Sequence, residues 1–352
     1  MHSNILVNSH MEIDDFNEGT EVVCGNGMEF STEVANRWFV QLLCDGVEAT
    51  AQRVAAAGTA GAATCLKLTI RRAARQVVGL DRVQFFQPVM WDELYGLTAG
   101  HSDDTEAGVP LVMRFSIKSS IDLEVGCTLN NGRATRNWTT NRKIPAGRWN
   151  RIAIQIPGDQ EASWSAGAGN YGLYFQIGLS CGPDRLSTVD SAWNPGHYLT
   201  LANPSAADFL ATEGATAWLT ACSLSVATGD NAFAHEPIPL ARIRTQRYGE
   251  KSYDPGTRPG APQCHEGAYQ IRAGGSATED RIDFKTLKCV PPSGARSVIY
   301  SPATGKAGHA YDMTSQTDVP ASVMTVSCSN MTMRIHGSVA DHVYSYHWTA
   351  KI

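Results

Sequence analysis

Apolar and polar residues alternate at every second position along much of the first two thirds of the chain. This period places one set of side chains on the buried face of a β-strand and the other set towards solvent. Clusters rich in Gly, Pro, Asn and Asp separate the alternating runs and are typical of turns. The clearest runs cover residues 65–70, 111–118, 151–156 and 171–179. Many short strands joined by turns predict an all-β protein with an antiparallel jelly-roll or β-sandwich domain.

One helix is predicted, over residues 240–248. Prolines precede this segment and Gly249 follows it, which is typical of the start and the end of a helix. Leu240, Ile243 and Arg247 would share one face. The helix is therefore expected to be short and only weakly amphipathic.

The segment after this helix, residues 253–262, is dense in Pro and Gly and is typical of a domain boundary. Strand-like runs resume beyond it, for example at residues 343–348. Between residues 326 and 335 the apolar phase flips, which predicts a bulge or turn at residues 329–330. The predicted parts are a jelly-roll domain over residues 1–235, a linking helix and Pro/Gly linker over residues 236–262, and a smaller C-terminal β-sandwich domain over residues 263–352.

The charge balance narrows the range of partners. Lys and Arg total 29 and Asp and Glu total 34, so the formal net charge is −5. No basic surface for nucleic acid or for an anionic membrane is expected at this balance. Long apolar runs that would span a membrane are absent from the sequence, and its first residues do not resemble a signal peptide. We therefore expect neither nucleic-acid binding nor membrane insertion.

Cysteine usage indicates reduced thiols. The nine cysteines are spread over the whole chain, and no two of them have the C-x-x-C spacing of a zinc or redox site. Several alternate with apolar neighbours, as Cys222 does in the run 222–226. We expect these side chains to pack as small hydrophobic groups in a protein assembled in a cytoplasm.

Three segments in order resemble the tail fibre or receptor-binding proteins of bacteriophages and prophages. The first is NRWF at residues 36–39, which follows an N-terminal stretch beginning NILVN. The second is IPAGRWNR at residues 144–151, which leads to IPGD and Trp164. The third is QRYGEKSY at residues 246–253. In such proteins a carbohydrate-binding-module-like jelly roll is joined by a short helix to a smaller C-terminal β domain, and the resemblance covers about residues 4–255.

The resemblance implies a non-enzymatic virion protein that attaches the particle to a bacterial surface glycan or another receptor as a homotrimer. Linked copies would convert weak single sites into avid attachment. Such a protein is made in the bacterial host cytoplasm, contacts other virion proteins and ends in the tail or another exposed structure. The chain lacks the repetitive shaft of a long fibre, so a capsid fibre, decoration or baseplate protein without receptor binding is the alternative. A polysaccharide depolymerase is a further alternative.

Tryptophans are the first candidates for sugar contact, because sugar binding uses aromatic faces with polar side chains nearby. Trp138 beside Asn137, and Trp193 beside Asn194, stand among polar residues in predicted loops. We predict that these four residues contact receptor glycan or a neighbouring subunit. Two other tryptophans, Trp38 and Trp149, lie in strand-like surroundings and are expected to be core residues.

Paired carboxylates are the candidates for hydrolysis, which needs an acid and a base or nucleophile. The pairs lie at residues 14–15, 92–93 and 103–106. Neighbours on a strand point to opposite faces, so adjacency alone does not make a catalytic pair. We predict no catalytic residue and no cofactor. A structural Ca²⁺, which related jelly rolls often hold, remains open because loop carboxylates supply suitable oxygen ligands.

Overall fold

A computed structural model describes residues 4–25, 31–58, 61–94, 108–160, 164, 170–202, 208–227 and 236–352. The chain forms two compact units. The first comprises Met1–Glu12 and Gly19–Pro237, and the second comprises Ile13–Glu18 and Ile238–Ile352. The helix and the Pro/Gly segment therefore belong to the second unit and do not form a separate linker. The second unit also takes in a short N-terminal segment that the sequence had placed in the first.

The strands of the first unit are β1 (Val22–Gly25), β2 (Ser31–Ala35), β3 (Trp38–Leu43), β4 (Glu48–Ala55), β5 (Thr64–Arg72), β6 (Arg82–Met90), β7 (Leu111–Ser119), β8 (Leu123–Asn131), β9 (Arg136–Ile144), β10 (Asn150–Ile156), β11 (Tyr171–Cys181), β12 (Leu186–Ser187), β13 (Trp193–Pro195), β14 (Thr200–Leu201) and β15 (Thr216–Val226). Short 3-10 turns occur at Trp91–Leu94 and Pro183–Arg185.

These strands form two antiparallel sheets. Sheet A has six strands in the order β1-β4-β5-β15-β7-β10, and sheet B has seven in the order β13-β9-β8-β11-β6-β3-β2. One apolar core takes side chains from both sheets, including Leu68 and Phe115 of sheet A and Phe85 and Ile177 of sheet B. The four predicted strand runs at residues 65–70, 111–118, 151–156 and 171–179 all lie in these sheets. The first unit is thus the jelly-roll sandwich that the period-two pattern predicts.

The N-terminal residues of the first unit are anchored by hydrogen bonds without forming a strand. The Nε1 group of Trp38 donates to the carbonyl of Asn8 at 2.8 Å. The side chain of Gln87 both donates to the carbonyl of Val7, at 2.9 Å, and accepts from its amide, at 2.8 Å. Trp38 is fully buried, as predicted. The NRWF motif therefore has a structural role, since it docks the start of the chain.

Trp149 departs from its predicted core position. Its side chain is half-buried, and its Nε1 group donates to the carbonyl of Ala57 at 3.0 Å. This hydrogen bond therefore connects the loop before β10 to the loop after β4.

The second unit contains the helix α1 (Ile238–Gln246) and the strands β16 (Gly249–Lys251), β17 (Tyr269–Arg272), β18 (Ala277–Asp283), β19 (Val298–Tyr300), β20 (His309–Asp312), β21 (Thr317–Val326), β22 (Asn330–His336) and β23 (Val343–Lys351). A 3-10 turn lies at Gly294–Arg296. The eight strands form one connected sheet in which β23 pairs with β16, β17, β19 and β20. Tyr344, Tyr346 and Trp348 of β23 are buried in its core. The predicted turn at residues 329–330 is confirmed, because β21 ends at Val326 and β22 begins at Asn330.

The helix packs on a different side from the predicted apolar one. Ala241 and Thr245 are its buried residues, while Ile243 is 55% exposed. Arg242 forms an ion pair with Asp15 at 2.6 Å, which ties the helix to the N-terminal segment of the same unit. Contact through small residues and an ion pair therefore sets the orientation of this helix.

All nine cysteines lie in the described ranges and carry free thiols. Burial raises the pKa of Cys65 and of Cys127 to about 12. These two thiols are therefore poor nucleophiles at neutral pH. Within the described ranges, no helix combines the length and the apolar character needed to cross a membrane.

Candidate functional site

The outer face of sheet B carries polar and aromatic side chains turned away from the core. Residues directly opposite each other in antiparallel strands share one face. Gln176 of β11 lies opposite Thr128 of β8 on one side and Phe86 of β6 on the other, and Phe86 lies opposite Phe39 of β3. Together these side chains form the amide–aromatic face: Phe39, Gln41, Arg82, Gln84, Phe86, Tyr174 and Gln176.

Amide side chains on this face are linked in two groups. In the first, Nε2 of Gln84 and Nε of Arg82 both donate to Oε1 of Gln41, each at 2.7 Å. Oε1 of Gln84 is buried and has no hydrogen-bond partner among the described residues. A buried acceptor without a partner is costly, and a ligand hydroxyl would reach this oxygen only after neighbouring side chains move.

The second group joins Gln176 to β8 and β9. Asn130 donates to Oε1 of Gln176. Nδ2 of Asn137 donates to Oδ1 of Asn130 and to the carbonyl of Tyr198, both at 2.9 Å. These bonds hold the Gln176 carbonyl in place and leave its NH₂ group without an acceptor in the described part of the chain.

Two aromatic pairs flank the amides. The rings of Phe39 and Phe86 have centroids 5.3 Å apart, and those of Tyr171 and Tyr174 are 5.8 Å apart. Phe39, Tyr171 and Tyr174 are half-buried, so part of each ring reaches solvent. The guanidinium of Arg37 lies 5.9 Å from the Phe39 ring centroid. The face thus combines flat apolar surfaces with hydrogen-bonding groups.

The segment at residues 198–201 lies over the β8 side of the face. A Cβ atom at Gly126 would come within 2.0 Å of the Leu199 carbonyl oxygen, and one at Gly178 within 2.5 Å of the Leu199 side chain. Thr128 donates to the Leu199 carbonyl at 2.9 Å. Glycine is therefore required at both positions. Residues 198–201, the covering segment, lie over β8, so the amide–aromatic face is formed by β11, β6 and β3.

His197, just before this covering segment, is held uncharged. Its carbonyl accepts a hydrogen bond from Arg185 at 2.8 Å. Burial, together with the positive charges of Arg185 and Arg82, lowers the pKa of its imidazole from 6.5 to about 4. The folded unit thus carries neutral imidazole at this position at neutral pH.

This shift predicts acid sensitivity of the first unit. Below pH 6.5 the unfolded chain protonates His197 while the folded chain does not, so stability falls as the pH drops from 6.5 to 4, by at most about 3 kcal/mol. A His197→Gln variant is expected to show a flatter profile of unfolding free energy against pH over this interval. The variant His336→Gln, at an exposed histidine, serves as the control. Identical profiles for His197→Gln and the unchanged protein would contradict this account.

Trp138 is not in a loop, and that prediction is wrong. It lies on β9, is 1% exposed and belongs to the apolar core, so a ligand cannot reach it. Its polar neighbours, Asn137 and Thr139, are fully buried on the other side of the same strand. They resemble loop residues in the sequence because their hydrogen bonds go to protein groups and not to water: Asn137 donates to the carbonyl of Tyr198, and the hydroxyl of Thr139 bonds to that of Thr128.

Trp193 and Asn194 lie on the edge strand β13 and do not form a loop. They pair with Trp138 and Asn137 of β9, so the structure brings all four predicted residues together. The half-buried Trp193 donates to the carbonyl of Pro157 at 2.6 Å. A contact role for Trp193 and Asn194 remains a prediction.

The candidate carboxylates have structural partners or lie outside the described residues. Asp15 pairs with Arg242, and Asp14 accepts from the amide of Asn17 at 3.1 Å. Asp92 and Glu93 occupy a 3-10 turn, and the cluster at residues 103–106 lies outside the described ranges. In the described part of the chain, no three His, Cys, Asp or Glu side chains gather in an arrangement that could hold a metal ion.

The sequence did contain one signal for the face that was missed. Tyr174 and Gln176 occupy the solvent phase of the predicted strand at residues 171–179, alternating with the buried Phe175 and Ile177. A large aromatic residue at an outward position of a strand indicates a binding surface when further apolar side chains lie beside it. Partners from β3 and β6 could be added only once the strand order was known.

No family model matches the chain, and no curated protein matches it. Among solved structures, it is similar to the enzymatically active domain of tailspike protein 4 of bacteriophage CBA120, at 12% identity and a TM-score of 0.30, over 64% of this chain and 21% of that one. The chain thus spans about a fifth of the length of that domain.

Carbohydrate-binding modules are also similar. One is TmCBM61 in complex with β-1,4-galactotriose, at 10% identity and a TM-score of 0.30, over 63% of this chain and 98% of that one. Another is the family 11 module of the cellulosomal cellulase Lic26A-Cel5E of Clostridium thermocellum, at 10% identity and a TM-score of 0.28, over 59% of this chain and 99% of that one. Identities this low assign no function.

Proposed function

We propose that the first unit binds a glycan on the amide–aromatic face and does not cleave it. The observation that carries this proposal is the placement of solvent-reaching rings beside amides with unused hydrogen-bonding groups. Rings such as Tyr174 and Phe39 can pack against the C–H groups of a sugar. The half-buried Gln41, whose NH₂ group has no acceptor among the described residues, can bind a sugar hydroxyl.

The composition of the face favours binding over hydrolysis. Glycoside hydrolysis needs two carboxyl groups about 5–10 Å apart. The seven residues that define the face are amides, aromatic rings and an arginine, and none of them is a carboxylic acid. Glu33 lies opposite Phe39 at the border of the face, and its carboxylate accepts from the amide of Arg37 at 2.8 Å. Release of reducing ends from a bound polysaccharide would overturn the non-enzymatic part of the proposal and favour a depolymerase.

The proposed biological setting follows from the resemblance of three sequence segments to phage tail fibre proteins. In this setting the chain is a virion protein that attaches the particle to a bacterial surface receptor as a homotrimer, and repeated weak glycan sites provide avidity. The expected results are binding of the purified protein to host cells, inhibition of infection, and a solution mass three times that of one chain. Location on the phage head, without cell binding, would favour the structural alternative.

Truncating Tyr174 tests the binding face. On an array of bacterial surface polysaccharides, Tyr174→Ala is expected to weaken binding about tenfold, because the ring supplies stacking area. Tyr174→Phe should retain most of the affinity, since the ring is kept. Tyr311→Ala, at a half-buried tyrosine of the second unit, is the matched control. If no polysaccharide is bound, or if binding is equal for Tyr174→Ala and the unchanged protein, the proposal is wrong.

A further inference from the structure

Two arginines at one end of the amide–aromatic face have no carboxylate partner among the residues that the structure describes. Arg82 donates to Oε1 of Gln41 and, at 2.9 Å, to the carbonyl of Leu80. Arg185 donates to the carbonyl of His197, and its buried Nε group has no partner in the described part of the chain. Neither arginine forms an ion pair within the described ranges.

The fold holds these arginines close together. Arg82 lies opposite Cys181, the last residue of β11, and Arg185 follows in the next turn. This turn is fixed on the loop before β6, since the amide of Gly182 donates to the carbonyl of Asp81 at 2.7 Å. Burial and the charge of Arg185 lower the pKa of Arg82 to about 10. The two guanidinium groups therefore share one electrostatic environment.

Nearby acidic groups form no ion pair with either arginine in the described part of the chain, although the negative charge of Asp184 opposes the lowering of the Arg185 pKa by burial. Asp184 is exposed and forms no ion pair in the described part of the chain. Asp208 accepts from the hydroxyl of Ser180 and from the amide of Leu210, at 3.0 Å. Burial raises the pKa of Cys181 to about 12, so its thiol is neutral at neutral pH. Partly buried arginines without an anion are costly for the folded protein.

We infer that Arg82 and Arg185 form a subsite for the anionic group, carboxylate or phosphate, of an acidic glycan. The planar guanidinium matches both groups through paired hydrogen bonds. Arg82 is joined through Gln41 to the amides of the face, so a sugar on the face can place its charged substituent at the arginines. This inference deepens the proposed glycan-binding function and rests on it.

The test uses the Nε–Hε NMR signals of Arg82 and Arg185 in the full chain. Glucuronate and glucose 6-phosphate are added as carboxylate and phosphate probes, with glucose as the neutral control. We expect saturable shifts of both arginine signals with at least one acidic sugar and none with glucose. The sugar that acts identifies the anion chemistry. If neither acidic sugar shifts either signal, the inference is wrong.

Variants provide a second readout. Arg185→Gln is expected to weaken binding of the effective acidic sugar about tenfold or more, because a charge-assisted hydrogen bond is lost. Arg148→Gln, at an exposed arginine, removes the same charge and should have no effect. If Arg148→Gln weakens binding equally, general charge and not the subsite is responsible, which overturns the inference.

The failures of the two proposals are distinguishable. If Tyr174→Ala weakens the binding of neutral glycans while the arginine signals do not shift with acidic sugars, the anion subsite is excluded and the glycan-binding face is supported. If the arginine signals shift with acidic sugars while Tyr174→Ala does not change glycan affinity, the glycan-binding face is excluded and an anion site is supported.

Discussion

Replacing Asp159 by alanine is expected to lower the unfolding free energy of the first unit by about 3–5 kcal/mol. The carboxylate of Asp159 is fully buried and pairs with the guanidinium of Arg136, which is 9% exposed. Nε of Arg136 donates to Oδ2 at 2.8 Å, and Nε1 of Trp164 donates to the same oxygen at 3.1 Å. The substitution leaves a buried cation without its carboxylate, and this cost exceeds the value of the ion pair itself.

Chemical denaturation followed by tryptophan fluorescence measures this change. Asp190→Ala, at an exposed aspartate, is the control and should change the unfolding free energy by less than about 0.5 kcal/mol. Replacing Arg136 and Asp159 together by methionine and leucine should recover much of the loss, since no buried charge remains. If Asp159→Ala lowers the unfolding free energy by less than about 1 kcal/mol, the pair of Arg136 and Asp159 contributes little to the stability of the first unit.

Replacing Glu250 by alanine is expected to destabilise the second unit by a similar amount, about 3–5 kcal/mol. Nζ of Lys288 lies 2.6 Å from the Glu250 carboxylate, and both side chains are at most 1% exposed. Lys288 also lies 4.5 Å from the ring centroid of Phe284, and the amide of Lys285 donates to Glu250 at 3.1 Å. Removing the carboxylate therefore leaves both a buried ammonium and an unsatisfied amide.

The pH dependence identifies the cause of this loss. Burial lowers the pKa of Lys288. Without Glu250 the folded variant loses the Lys288 proton at lower pH than the unfolded chain, so the stability deficit should shrink as the pH rises towards 10.5. Glu279→Ala, which breaks an exposed pair with Arg334, should cost only about 0.5 kcal/mol. A deficit for Glu250→Ala that does not change with pH would exclude the buried ammonium as its cause.

Sequence patterns predicted the elements whose side chains alternate between core and solvent. Strands β7 and β11 follow that rule, because one face of each lies in the core and its apolar residues keep a single phase. The turn between β21 and β22 could also be predicted from the sequence, because the alternation of apolar residues changes phase there. Such features depend on neighbours in the sequence and can be found without knowledge of the tertiary fold.

Strand β9 shows where this reasoning failed. Its outward residues Asn137 and Thr139 are fully buried and make hydrogen bonds to distant residues such as Tyr198 and Thr128. Polar composition therefore predicted a loop, and Trp138 was mistaken for an accessible residue. Only the course of the covering segment, which lies about 60 residues away in sequence, separates the two possibilities.

The division of the chain into units failed for a related reason. Residues 13–18 belong to the second unit, where Asp15 pairs with Arg242 and Glu18 pairs with Lys251 at 2.7 Å. These ion pairs join residues more than 200 positions apart. A boundary based on local Pro and Gly content cannot detect them.

The most direct test of the glycan-binding face is a map of backbone amide NMR shifts on titration with an oligosaccharide selected from the polysaccharide array. Saturable shifts concentrated on β3, β6 and β11, with the largest changes around Phe39, Phe86 and Tyr174, are the predicted result. Shifts concentrated on sheet A or in the second unit, with these three strands unchanged, would contradict it.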